Sequence, residues 1–217
     1  DSMIAKVIAW GRDRAEARAR LSRALRQTAA VIDGGTTNKA FLLDLLDRPE
    51  ILAGDTDTTW LDTMMAAGYI PPRRLDVALL ATAVEAQDAH VARQRQRLFA
   101  SAERGRPEVG HEAWHQVDVR VAGESYRLRV AQVRGARYRV ELDAHAVDVD
   151  AERTGPVERR LTVGSNDHRE SFAVLAVPPH GASSDYLIEV DGAVHRISGG
   201  DAGLVRAPAP AMVVAIP

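Results

Sequence analysis

From Val117 onward, apolar and polar positions alternate with period two, the spacing of strands that bury one face. The candidate strands are 117–123 (VDVRVAG), 125–133 (SYRLRVAQV), 138–150 (YRVELDAHAVDVD), 157–163 (VERRLTV), 170–179 (ESFAVLAVPP), 185–190 (DYLIEV) and 193–198 (AVHRIS). The longest is read as two strands or one with a bend. Short turns separate them, and Asp191-Gly192 is a strong hairpin signal. Seven or eight short strands so closely spaced predict an antiparallel barrel or sandwich.

The pattern before residue 105 is different. Leu75, Leu79, Ala83, Ala86 and His90 recur at helical spacing, and neither Gly nor Pro occurs from Asp76 to Arg104. This predicts a helix of about eight turns over 76–104, with one apolar face and a basic end at Arg93, Arg95, Arg97 and Arg104 that complements the helix dipole. Nearer the start, Ile4 to Trp10 reads as a buried strand ended by Gly11. Asp13 with Glu16 forms a capping box opening a helix over Ala17, Leu21, Ala24, Thr28 and Val31. A second helix from Thr37 or Asn38 should bury Phe41, Leu42, Leu45 and Leu46 and end before Pro49. A third carries Trp60, Leu61 and Met64.

Composition narrows the function classes. Of the 217 residues 46% are hydrophobic, enough for packed cores, and none is cysteine, which excludes disulfides and thiolate metal sites and points to a reducing, cytoplasmic setting. No apolar run is long enough to span a bilayer, and no signal-peptide pattern opens the chain. The formal net charge of −2 implies no nucleic-acid partner. Charge is nevertheless uneven: six arginines lie between Arg12 and Arg26, and seven carboxylates between Asp33 and Asp62. Such runs read as solvated helix faces.

The chemical motifs do not assemble an active site. His111-Glu112-Ala113-Trp114-His115 spells the H-E-x-x-H zinc pattern, but that chemistry needs both histidines on one helical face. Here a helix stop (RGRP) precedes the motif and a strand follows it, so no metal is assigned and Trp114 is read as a core anchor. A zinc hydrolase built on His111, Glu112 and His115 is the rejected alternative. Asp55-x-Asp57-x-Thr59 starts like a calcium loop, but Trp60 stands where Gly is required and Ala66 where Glu is required. Gly34-Gly35-Thr36-Thr37-Asn38 lacks the Gly-Lys-Ser/Thr of a phosphate loop and reads as a turn and helix cap. His145, His168, His180 and His195 lack ligand spacing. No catalytic, cofactor-binding or metal-binding residue is therefore assigned.

A resemblance supplies what local chemistry does not. Asp1, Ser2, Met3, Ile4, Lys6, Val7, Ile8 and Gly11, then Arg14, Ala17, Arg20, Ala24 and Leu25, follow the pattern that closes a biotin carboxylase domain. Gly34, Thr37, Asn38, Phe41, Leu42, Leu45, Leu46, Pro49, Ile51, Gly54, Asp57, Thr58, Trp60 and Leu61 continue it, with Gly35 in place of the usual apolar residue. Residues 207–217 (APAPAMVVAIP) resemble the start of a biotin carboxyl carrier domain, with Ala209 in place of Met and Ala211 in place of Gly. The order between them, one long helix and then about eight strands, resembles the BT domain of propionyl-CoA and 3-methylcrotonyl-CoA carboxylase α subunits, a central helix wrapped by an antiparallel barrel.

The resemblance implies an α+β chain in three parts. Residues 1–70 would be the C-terminal α/β piece of a biotin carboxylase domain. Residues 71–206 would be a BT domain (helix 76–104, barrel 111–206), and 207–217 the first strand of a carrier domain. It implies a parent ligase that uses biotin, ATP and Mg to carboxylate biotin and then an acyl-CoA, best matched by 3-methylcrotonyl-CoA carboxylase, with the propionyl- or acetyl-CoA type as alternative. The expected partners are a carboxyltransferase β subunit and further α subunits. On this reading the chain is cut at both ends, and the ATP site and the biotin-accepting lysine lie outside it. Asp1 alone would sit near the ATP site, with no catalytic role assigned. A non-enzymatic β-barrel binding module is the second class of reading.

Overall fold

The computed structural model describes residues 3–70, 73–103, 105, 113–142, 145–165, 168–179 and 185–199. Four short helices lead: α1 (Arg14–Gln27), α2 (Lys39–Leu46), α3 (Pro49–Ala53) and α4 (Trp60–Ala66). A long helix follows, α5 (Leu75–Glu103), and then eight strands: β1 (His115–Val121), β2 (Glu124–Arg134), β3 (Arg137–Leu142), β4 (His145–Arg153), β5 (Glu158–Ser165), β6 (His168–Val177), β7 (Asp185–Val190) and β8 (Ala193–Gly199). Each strand pairs antiparallel with the next, and β8 returns to β1 to close a barrel. The fold is α+β, a long helix with a closed eight-stranded antiparallel barrel.

The period-two pattern sets each strand's facing. Val117 and Val119, Leu128 and Val130, Val149 and Ala151, and Val174 and Ala176 point inward and are buried. Outward positions carry charges matched across strands: Arg139 opposes Asp148 and bonds it at 2.7 Å, and Arg127 opposes Asp118 at 2.9 Å. Each such exposed pair is worth under about 1 kcal/mol, but opposite charges also favour this register over a slipped one. The stretch 138–150 resolves into β3 and β4. Asp191 and Gly192 take φ of 48° and 83°, the doubly left-handed turn that Asp-Gly favours.

Helix α5 lies inside the barrel. Val77, Ala78, Leu79, Ala81, Thr82, Ala83, Val84, Glu85, Ala86 and Gln87 are all buried, on every side of the helix. The expectation of one apolar face is therefore corrected. A ring of strands covers the whole circumference, so Ala78 and Ala81 are buried where a one-sided helix would place polar residues. At about 1.5 Å per residue the 29-residue helix is about 43 Å long, and its second half leaves the barrel, with Phe99 exposed.

The N-terminal segment departs from several expectations. Residues 4–10 form no strand, and Ile4, Ile8 and Trp10 are exposed, because no described strand lies beside them to supply ladder hydrogen bonds. Helix α1 stops at Gln27, short of Val31, where the Thr28 hydroxyl bonds the Ala24 carbonyl at 2.8 Å. Asp13 caps it as expected (2.8 Å from the Glu16 N–H), but the Glu16 carboxylate accepts from the N–H of Arg12 rather than of Asp13. Pro49 opens the unforeseen α3, its fixed φ suiting a first helical position. In α2 the deeply buried apolar residue is Leu43, while Leu42 lies exposed. The last turn of α5 carries no described cation. Arg97 lies too far from Glu103 for the dipole interaction, which fades beyond the last turn, and Arg104 lies outside the described residues. The strand expected at 207–217 also lies outside them.

Candidate functional site

An ionic cluster fixes α5 within the barrel. Arg159, on β5 and only 3% exposed, donates from Nε to Glu85 at 2.5 Å and from a terminal nitrogen to Asp88 at 2.5 Å. The Tyr138 hydroxyl donates to the other Asp88 oxygen at 2.6 Å, and Arg153 reaches Glu85 at 3.4 Å. Burial and the bond to Asp88 push the Tyr138 phenol above its ordinary range, so it stays protonated as a donor. Burial acts to lower Arg159, but the bonds to Glu85 and Asp88 outweigh it and hold the group above its usual value. Both carboxylates belong to α5 and both arginines to the wall, so sliding the helix by one turn would break every contact.

A second buried pair joins the helical segment to the barrel. Lys39 at the start of α2 donates from Nζ to Glu189 on β7 at 2.5 Å and to the Thr28 carbonyl at 2.6 Å. Leu187 and Glu189 point outward yet are buried, so β7 is covered on both faces. At Gly192 a Cβ would come within 2.8 Å of the Ala40 backbone, so only glycine lets the hairpin approach α2. Arg196 on β8 adds a bond of 2.5 Å to Asp33.

No catalytic constellation appears in this arrangement. Among the described residues no group of three or more metal-ligating side chains gathers. His111, Glu112 and His180 lie outside the described residues. His115 opens strand β1, and its ring stacks on His90 of α5 with centroids 4.2 Å apart. Trp114 is not a core anchor: it is half-buried beneath the Arg129 guanidinium, 5.0 Å from the ring centre, on the outer face. Asp57 accepts from the Thr59 N–H at 2.8 Å and from its hydroxyl at 2.9 Å, a local turn. His145 and His168 begin β4 and β6 as exposed residues, while His195 is buried on β8. The projecting half of α5 offers a different kind of site, with Arg93, Arg95, Arg97 and Phe99 exposed. Sequence reasoning missed Arg159 and Lys39, whose partners lie 74 and 150 residues away.

Comparison with known proteins bears on the N-terminal segment. Residues 1–63 match the family model of the biotin carboxylase C-terminal domain. The chain is 44% identical over 68 residues to Biotin carboxylase 1 of Bacillus subtilis, covering 31% of this chain and 15% of that protein. It is 41% identical over 64 residues to Biotin carboxylase of Nostoc sp., covering 30% of this chain and 14% of the relative. Human mitochondrial pyruvate carboxylase is 42% identical over 62 residues, 29% of this chain and 5% of that protein. The chain thus spans about a seventh or less of the length of these relatives. No described helix is long and apolar enough to cross a membrane.

Proposed function

We propose that the chain is part of the biotin-carboxylating α subunit of an acyl-CoA carboxylase, of the 3-methylcrotonyl-CoA type. Residues 1–70 would close its biotin carboxylase domain, 71–206 would be a BT domain that holds the carboxyltransferase β subunit, and 207–217 would enter the carrier domain. The reading rests on one juxtaposition: a biotin carboxylase C-terminal match over 1–63 runs directly into a helix-threaded eight-stranded barrel. The parent enzyme would use biotin, ATP and Mg in the cytoplasm. This segment binds none of them and acts in assembly, with further α subunits in a larger hetero-oligomer.

Physical features fit an assembly role. The barrel interior is packed by α5, whose Val77, Leu79, Ala83 and Val84 meet the inward residues of the strands. The ionic cluster holds the helix at one depth, which presents its projecting arginines and Phe99 at a fixed height above the rim. Met3, Ile4, Ile8 and Trp10 are exposed apolar surface that the body of a carboxylase domain would cover.

Co-purification of this chain with a 3-methylcrotonyl-CoA carboxylase β subunit tests the reading. Retention is expected, with loss on changing Arg95 and Phe99 to Glu. A folded chain, by circular dichroism, that never retains the β subunit would leave the barrel as a spacer between carboxylase and carrier. Retention by a propionyl-CoA carboxylase β subunit alone would move the substrate to that acyl-CoA.

A further inference from the structure

We propose that the seam of the barrel is a binding site for a small phosphate-bearing anion. Among the described residues, β1 and β8 register only through Val119 with Gly199 and Arg120 with Ser198. Beside this short ladder lies a concavity of about 400 Å³, lined by Arg73, Arg120, Gly123, His195, Arg196 and Ser198. That volume is at the small end for ligand sites and has room for a phosphate ester as well as a bare phosphate.

The charges around it are unevenly matched. Arg196 is neutralised by Asp185 at 2.9 Å and Asp33 at 2.5 Å. Arg73 and Arg120 form no ion pair among the described residues, and Arg120 has only the Ser125 hydroxyl at 3.3 Å. His195 is 7% exposed, lines the concavity, and leaves its Nε2 without a hydrogen-bond partner. A buried ring nitrogen is ordinarily satisfied, so this one is free to take a partner that enters at the seam. Burial, reinforced by Arg73, lowers the imidazole pKa and favours the neutral ring, which adds a polar atom without adding charge. Asp76 acts the other way on His195, but its carboxylate is held by Arg74 at 2.9 Å. Two guanidiniums without an ion-pair partner suit a doubly charged tetrahedral oxyanion, whose oxygens accept from several directions. A single carboxylate would leave one guanidinium unpaired.

The site stands independently of the carboxylase reading, because it uses barrel and linker residues alone. The test is titration of the whole chain with inorganic phosphate and with glycerol 3-phosphate, followed by amide and imidazole NMR shifts. Saturable shifts centred on Arg120 and His195 are expected, tighter for the ester. The pair Arg73→Gln and Arg120→Gln should weaken binding at least about tenfold, since charge-assisted bonds to phosphate are the strong ones. His195→Gln should weaken it less and leave the fold intact by circular dichroism. Shifts spread over the exposed arginines of the outer face, equal saturation by acetate, or unchanged affinity in the double variant would overturn the site.

Discussion

Replacing Arg159 by leucine probes the barrel interior directly. Arg159 touches two carboxylates of α5, and Glu85 is itself only 6% exposed. At about 4 Å and an effective dielectric near 20, each pair is worth roughly 4 kcal/mol of Coulomb energy, much of it offset by desolvation. Deleting one partner keeps the desolvation and forfeits the attraction. Glu85 would then depend on Arg153, which is 3.4 Å away and about half exposed. The expected loss is about 3–5 kcal/mol, a large share of the roughly 5–15 kcal/mol that stabilises a domain. Glu85→Leu added to Arg159→Leu removes the more deeply buried of the two stranded charges, Asp88 being the other, and should recover part of that loss. Urea unfolding followed by far-UV circular dichroism reads both variants, provided the slope with denaturant is unchanged. A single-variant loss under about 1 kcal/mol, or losses that simply add in the double variant, would refute the coupling.

Three further outcomes follow from the geometry. Ala81 and Ala83 face different sides of α5, and each is fully buried. Leucine at either should therefore cost about 1–3 kcal/mol in thermal or urea unfolding, whereas a helix buried on one side would tolerate one of them. Lys39→Met strands the buried Glu189 carboxylate and should cost about 3 kcal/mol or more, with faster amide exchange in the β7–β8 hairpin; Glu189→Leu added to it should restore both. The folded pKa of His195 lies below its unfolded value of about 6.5, because burial and Arg73 disfavour the charged ring while Asp76 only partly opposes them. Below that value the unfolded chain binds the extra proton first. Stability from this group is thus full above about pH 6.5 and declines as pH falls toward the folded pKa. Unfolding free energies at about pH 7 and 5 should show this decline flattened in His195→Gln, and an equal decline in both proteins would exclude it.

The barrel was legible because its strands bury one face, so Val117, Val119, Leu128 and Val130 announce their own alternation. The helix was legible from its length without Gly or Pro. What threads it through the ring was not. Thr82, Glu85 and Gln87 are polar, and their burial depends on walls that form later in the chain. Arg159 lies two residues before the inward Leu161, so the alternation already turns it inward; what the sequence hides is its partner Glu85, on a helix 74 residues away. Ile4 to Trp10 misled in the opposite sense, since β-branched residues give a strand only beside another strand. Candidate chemistry was least legible of all: His195 sat in an ordinary alternation, and only the folded seam places it near Arg73 and Arg120.

The threaded helix also constrains the order in which the molecule assembles. A closed ring cannot admit a 29-residue rod afterwards without reopening. Because α5 precedes every strand, a chain emerging from the ribosome presents the rod first and lays each strand beside its predecessor around it. Only the β1–β8 joint brings the first strand and the last together. That joint is therefore the natural last step of folding, since loop-closure entropy falls mainly on it. A circular permutant with α5 behind the strands keeps every native contact but reverses this order, and should refold far more slowly than the native arrangement.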